Sequence, residues 1–190
     1  MKQRKNYKAV VIGASWGGLA AVVAITKDLP ANYPLPIVVV LHRLKDFESE
    51  LEAILQKKIA LKVCEVDEKR PLKGGKMYVA PANYHVLIES DSTFSLSISA
   101  PENYSRPSID VTFDSAAEAY GNRLIGIILT GANNDGSKGL KAIVDKGGTA
   151  IIQDPEEAEM NMMPLAAIAL VNNALVLKLS QIKDFLLSVV

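Results

Sequence analysis

Short, nearly continuous apolar runs alternate along this chain with segments whose apolar residues recur at helical spacing. Ala9–Gly13, Ile37–Leu41, Arg123–Leu129 and Thr149–Ile152 read as buried strands, with a last one at Leu175–Leu177. Helical patterns follow over Gly17–Asp28, Phe47–Lys57, Ile109–Tyr120, Ser137–Lys146 and Gln181–Val189. Such alternation predicts an α/β fold with helices on both faces of a doubly wound, mostly parallel sheet of Rossmann-like type. Pro30 and Pro34-Leu35-Pro36 separate the first helix from the second strand. Ser108, just after Arg106-Pro107, has the chemistry of an N-cap for the third helix.

The middle of the chain has a different rhythm. Met77-Tyr78-Val79-Ala80, His85-Val86-Leu87-Ile88 and Phe94-Ser95-Leu96-Ser97-Ile98 read as short strands, with turns at Lys73-Gly74-Gly75 and Glu89-Ser90-Asp91-Ser92. The last two strands predict an antiparallel hairpin at one edge of the sheet. No repeat, low-complexity tract or long linker divides the chain, so residues 1–190 read as a single domain.

Composition changes this picture little. The chain is 49% apolar and 22% charged, and its 21 basic residues balance its 21 acidic ones. Nothing in that balance points to nucleic acid or an anionic membrane. A single cysteine, Cys64, excludes an internal disulfide framework and fits a reducing cytoplasm; it reads as a buried structural thiol. The basic start Met1-Lys2-Gln3-Arg4-Lys5 precedes an apolar run that breaks at Gly13, too short for a signal peptide or a membrane span.

Chemistry enters at Gly13-Ala14-Ser15-Trp16-Gly17-Gly18, between the first strand and the first helix. The spacing Gly13-x-Ser15-x-Gly17 is that of a nucleophile elbow, which presents a serine hydroxyl at the end of a sheet. Glycines there permit strained φ/ψ, and a helix N-terminus favours developing negative charge. A Gly-rich strand–helix turn also binds phosphates. Here Ser15 stands where a dinucleotide loop has its second glycine, and no Gly-Lys-Ser/Thr follows. The loop alone leaves nucleophile, nucleotide loop and simple tight turn all open.

The partners discriminate. His42 follows Ile37–Leu41, at the carboxyl end of the second strand, and ligand sites in open parallel sheets lie at that edge. Ser15 ends the neighbouring strand, so His42 is the candidate base. His85 begins a strand of the middle region and is expected near the site at best. Asp135 follows the buried strand Arg123–Leu129 in the loop Thr130-Gly131-Ala132-Asn133-Asn134-Asp135-Gly136. It fits an acid that orients the imidazole, or an N-cap of the next helix, or both. Asn at this position is expected to keep the cap bond while presenting the wrong partner to His42. Asp110, Asp114 and Asp154 are weaker candidates. Two histidines and one cysteine far apart in sequence give no metal-ligand spacing, so no metal is expected.

With these residues assembled, the chain resembles the catalytic domain of the CheB family of chemotaxis protein-glutamate methylesterases. Val11-Ile12-Gly13-Ala14-Ser15-x-Gly17-Gly18 matches the family's nucleophile motif. The His42 strand end, Ala80-Pro81-x-x-Tyr84-His85, Arg106-Pro107-Ser108-Ile109-Asp110-Val111 and Leu129-Thr130-Gly131-x-x-x-Asp135-Gly136 follow in order. Gln153-Asp154-Pro155, Met163-Pro164 and Ala166 also fit, so the likeness covers nearly the whole chain. It implies a Ser–His–Asp triad of Ser15, His42 and Asp135. It also implies hydrolysis of glutamate methyl esters, and in some members deamidation of glutamines, on methyl-accepting chemotaxis receptors. The family pattern before the acid is Thr-Gly-Met-Gly-x-Asp-Gly, and here Ala132 and Asn133 replace the Met and the second Gly. Trp16 stands where the family commonly has a small residue, and Leu41 where Gln is common.

The expectation is therefore a cytoplasmic serine carboxylesterase without cofactor, whose oxyanion is held by backbone N–H groups around Trp16, Ala132 and Asn133. Its partners are chemotaxis receptors. Family members usually carry an N-terminal receiver domain; the first strand here starts near Met1, so the chain is expected to be active without a phosphodonor, and any phosphorylation control to come from elsewhere, a receiver protein in trans being one source. The alternative is a catalytically impaired receptor-binding or scaffold module of the same fold.

Overall fold

The computed structural model describes residues 6–42 and 51–190. In chain order its elements are β1 (Ala9–Ala14), α1 (Gly18–Thr26), β2 (Ile37–Leu41), α2 (Leu51–Gln56), β3 (Lys62–Glu65), β4 (Lys76–Val79), β5 (His85–Ile88) and β6 (Phe94–Ser97). There follow α3 (Ile109–Tyr120), β7 (Leu124–Ile128), α4 (Ser137–Asp145), β8 (Thr149–Gln153), α5 (Met162–Leu170), β9 (Leu175–Leu177) and α6 (Leu179–Ser188). The expected helix over Phe47–Lys57 is seen as α2; its start at Phe47 lies outside the described residues, as does the basic stretch 1–5.

The apolar runs form one seven-stranded sheet in the order β3-β4-β2-β1-β7-β8-β9, with every neighbouring pair parallel. Strands of such a sheet are buried on both faces, so they need apolar residues at every position. β1, β2 and β7 satisfy this over their whole lengths. Alternate residues feed two cores. Val11, Val38, Val40 and Ile128 face α3, α4 and α5. Val10, Ile12, Val39 and Ile127 face α1, α2 and α6. Each fully buried aliphatic side chain contributes about 1.5–3 kcal/mol, so this double layer dominates the stability.

The middle region is built differently from the expectation. β4, whose pairing the sequence pattern left open, enters the main sheet between β3 and β2. β5 and β6 form the predicted antiparallel hairpin, but as a separate two-stranded sheet rather than an edge of the large one. α3 holds it there, through Thr112 Oγ1–H to the Val86 carbonyl at 2.8 Å and Ile88 N–H to Ser115 Oγ at 3.1 Å. α5 has no counterpart in the sequence reading. Pro164 reads as a breaker, yet it is the third residue of the helix, where no intrahelical N–H bond is needed. Cys64 sits on edge strand β3 and is half-buried, because an edge strand is covered less completely than a central one. Among the described residues no helix is long and apolar enough to cross a membrane.

From β1 the chain extends the sheet through β2 to β4 on one side and through β7 to β8 on the other. The crevice at this reversal, outside the carboxyl ends of β1 and β7, is where open α/β sheets bind ligands. Gly13 lets α3 approach that crevice, because a Cβ there would collide with the Ile109 side chain.

Candidate active site

Ser15 follows β1 directly, and its N–H donates to the Thr130 carbonyl beyond β7 at 3.0 Å. The turn is made by Gly17, which is left-handed at φ 73° and is the N-cap of α1. Ser15 is not among the left-handed residues, so the strain expected at an elbow serine falls on the glycine two positions later. Thr130 ties the turn down. Its hydroxyl donates to the Trp16 carbonyl at 2.9 Å and accepts from the Met160 N–H at 2.9 Å. Gly131 completes the contact: a Cβ there would overlap Met163 Sδ and lie 2.9 Å from Ser15 Cβ.

His42 leaves the end of β2 with its N–H on the Ala14 carbonyl at 3.2 Å, so it stands beside the residue preceding Ser15. Its Nε2 is 2.8 Å from Asp135 Oδ2. Its Nδ1 is 3.2 Å from Asn133 Nδ2. The Asn133 Oδ1 accepts the Asp135 N–H at 3.1 Å, which orients the amide and turns its NH₂ toward the ring. These two contacts fit the tautomer with its proton on Nε2 and its lone pair on Nδ1. Among the described residues the ring's hydrogen bonds run to Asp135 and Asn133, and none reaches Ser15.

Asp135 is 1% exposed. It does not cap its own helix: Gly136, at φ 94°, is the N-cap of α4 and turns the carboxylate away. The carboxylate instead closes the N-terminus of α3. Oδ2 accepts from Ile109 N–H at 2.7 Å, and Oδ1 from Asp110 N–H at 3.1 Å and Ser108 Oγ–H at 2.9 Å. The Asn103 amide donates to Oδ1 at 3.3 Å. Burial works to raise the Asp135 pKa, but the bonds from His42, Ile109 and Asp110 outweigh it and hold the carboxyl below its ordinary range. Asp135 is therefore ionised, with a helix N-terminus stabilising it.

Ser108 is the N-cap the sequence predicted, its hydroxyl accepting from Val111 N–H. His85 supports it from behind: its Nδ1 accepts the Ser108 N–H at 3.1 Å and its Nε2–H donates to the Ala100 carbonyl at 3.1 Å. Both ring nitrogens are used and the residue is buried, so His85 is a structural group one step from the site. Asp110 accepts from Gly139 N–H and Asn103, and burial, helped by the neighbouring Asp135 charge, raises its pKa. Asp110 was a weaker candidate for the acid, and Asn103, at φ 49° in a loop, left no trace in the sequence pattern.

Trp16 is 65% exposed, and its Nε1–H donates to Glu159 Oε1 at 2.9 Å. The other Glu159 oxygen lies where a Cβ on Gly17 would stand. A carboxylate thus occupies the N-terminus of α1, which opposes a phosphate there and removes the support for a nucleotide loop.

A family model described as CheB methylesterase matches residues 10–186. A chain of Leptospira interrogans, provisionally named protein-glutamate methylesterase/protein-glutamine glutaminase, is 49% identical over 179 residues, covering 94% of this chain and 93% of that one. A protein-glutamate methylesterase/protein-glutamine glutaminase of Carboxydothermus hydrogenoformans is 39% identical over 95% of this chain and 55% of its own length. The crystal structure of the Thermotoga maritima CheB methylesterase catalytic domain matches with a TM-score of 0.90 at 35% identity, over 97% of this chain and 99% of that one.

Proposed function

The chain belongs to the CheB methylesterase family, and on that premise we propose that it hydrolyses glutamate methyl esters on chemotaxis receptors, and deamidates receptor glutamines, with Ser15, His42 and Asp135 as a triad. The observation that carries this is the 2.8 Å bond from His42 Nε2 to the buried, ionised Asp135, set at the strand end beside Ser15. Because Nε2 is committed to Asp135, the proton of Ser15 passes to Nδ1. The Ser15 oxygen attacks the ester carbonyl as Nδ1 takes this proton, and Asp135 stabilises the imidazolium. Nδ1–H then protonates the departing oxygen as the acyl C–O bond breaks, releasing methanol, or the departing nitrogen of a glutamine, releasing ammonia, and leaves the acyl group on Ser15. Water, activated by the same nitrogen, releases the glutamate and frees Ser15.

The N–H groups of Trp16, Ala132 and Asn133 have no acceptor among the described residues, and on this reading they receive the oxyanion. Backbone donors do not depend on the side chain, so Ala132 in place of a Met preserves them. Residues 1–190 work as one catalytic domain in the cytoplasm, on receptor helices.

Incubation with methylated receptor tests the proposal. Methanol is released by the native protein, and Ser15→Ala releases none while melting at the same temperature. Among the described residues Ser15 makes no side-chain hydrogen bond that its loss would break. A folded Ser15→Ala protein with full activity overturns the assignment, and a native protein that binds receptor without releasing methanol supports the scaffold alternative.

A further inference from the structure

The nitrogen that must accept the serine proton is already occupied. His42 Nδ1 faces the Asn133 amide at 3.2 Å, and that amide cannot flip, because its oxygen holds the Asp135 N–H at 3.1 Å. Asn133 is half-buried in the loop that also carries Asp135, so one side chain links the base and the backbone of its acid. A hydrogen bond to Nδ1 has two effects. It selects the Nε2–H tautomer, reinforcing the bond to Asp135. It also uses the lone pair that Ser15 needs, and it opposes the imidazolium, whose Nδ1–H would face an N–H donor.

We infer that Asn133 is a positioning residue that covers the basic nitrogen of His42 in the free protein and must swing away before Ser15 is activated. This rests on the triad reading and adds a gate to it. A residue without a side chain at 133 could not act so, since the device needs both the amide oxygen anchored on Asp135 and the NH₂ on the ring. The gate costs reactivity when no substrate is seated and holds the correct tautomer ready for when one is.

The test uses the full chain, a fluorophosphonate as a small serine-directed probe, and ¹⁵N spectra of the two histidine rings. The native protein is expected to show His42 as the Nε2–H tautomer. Asn133→Ala moves the His42 Nδ1 resonance while the buried His85 signals stay, which reports an intact fold. The same variant is labelled about fivefold faster at neutral pH, the worth of one ordinary hydrogen bond, and the acid limb of its rate profile moves to higher pH. Among the described residues, the ionisable groups around the ring are Asp135 in contact, Asp110 sharing the Asn103 amide with it, and Glu159 at the Ser15–Gly17 turn. All three remain in these variants. Asn133→Asp keeps the shape, places an acceptor against Nδ1 and holds the imidazolium; labelling falls more than about tenfold near neutrality and recovers at alkaline pH. It serves equally if the alanine variant does not fold. An unmoved Nδ1 resonance, or a rate that falls by one factor at every pH with the limb in place, overturns the gate. Failure of the native protein to be labelled at Ser15 overturns the triad instead, and the spectra still decide the Asn133 contact.

Discussion

Ile109 N–H and His42 Nε2 converge on one oxygen, Asp135 Oδ2, at 2.7 Å and 2.8 Å. His42 and the first turn of α3 thus share an anion. This changes what a neutral isostere does. An Asn at 135 has one oxygen, while both carboxylate oxygens receive backbone N–H groups, from Ile109 and Asp110. Its NH₂ must face one of them. Asp135→Asn is therefore expected to lose about 1–3 kcal/mol of stability through an unsatisfied buried donor. It also loses activity on the scale of the roughly 10⁴ seen for the equivalent change in a serine protease. Denaturant titration and methanol release measure the two losses; an Asn variant as stable as the native protein would contradict the shared-anion geometry.

Acid should expose the same relationship. The folded-state pKa of Asp135 lies below its unfolded value, so its stabilising contribution is fully present above the ordinary carboxyl pKa of about 3.9 and is lost as pH falls through the folded value. Asp110, raised chiefly by burial, acts in the opposite sense: its proton binds more readily in the fold, so acidification relieves a cost. On acidification toward about pH 4 the melting temperature of Asp110→Asn should lose ground to the native protein's, because the native Asp110 gains its proton there; below about pH 4 the melting temperature of Asp135→Ala should fall less steeply than the native protein's. Parallel curves for all three would show that neither carboxyl carries the acid response.

The two histidines separate cleanly. His42→Ala removes the base and leaves the core intact, so activity disappears with a small change in melting temperature. His85→Ala leaves the Ser108 N–H without its buried acceptor and costs about 1–3 kcal/mol. Its activity at low temperature is reduced only through Ser108 and Asp135. If His85→Ala abolishes turnover in a well-folded protein, the base has been assigned to the wrong ring.

Gly131→Ala probes placement rather than chemistry. The added methyl would lie 2.9 Å from Ser15 Cβ and would overlap Met163 Sδ. Met163 can yield, but Ser15 is fixed to Thr130 by its own N–H. A serine displaced by a fraction of an ångström to an ångström should lose up to about 10²-fold in kcat. Stability changes by the cost of overpacking, about 1–3 kcal/mol. Unchanged kcat would show that the Thr130–Gly131 loop does not set the serine position.

Much of this was legible in the sequence. β1, β2, β7 and β8 announced themselves because a strand buried on both faces is apolar at every position, and the three groups of the site follow three of those strands. What local pattern could not give was pairing. Met77–Val79 has the same short, apolar look whether it joins a hairpin or a parallel sheet, and only the packing of β2 chooses. α5 lacks a polar face to betray its period. The contact between Asp135 and His42 was legible, but the helix that Asp135 caps was not. Asp135 looked like a cap for the helix that follows it, and it caps a helix 26 residues upstream in sequence, a contact made by folding alone. Asn133 was visible as a substitution for glycine, but its contact with Nδ1 depends on the rotamers of two side chains 91 residues apart.

The groups of the site issue from β2, β1 and β7, three adjacent strands at the middle of the sheet rather than from its margins. Competence and integrity are consequently one property of this molecule. The hairpin, α6 or edge strand β3 can fray while the centre persists, but no partly melted form keeps a central sheet and loses the alignment of its active groups. Heat should extinguish turnover and the slowest-exchanging amides, those of Val11, Val39 and Ile127, in a single transition.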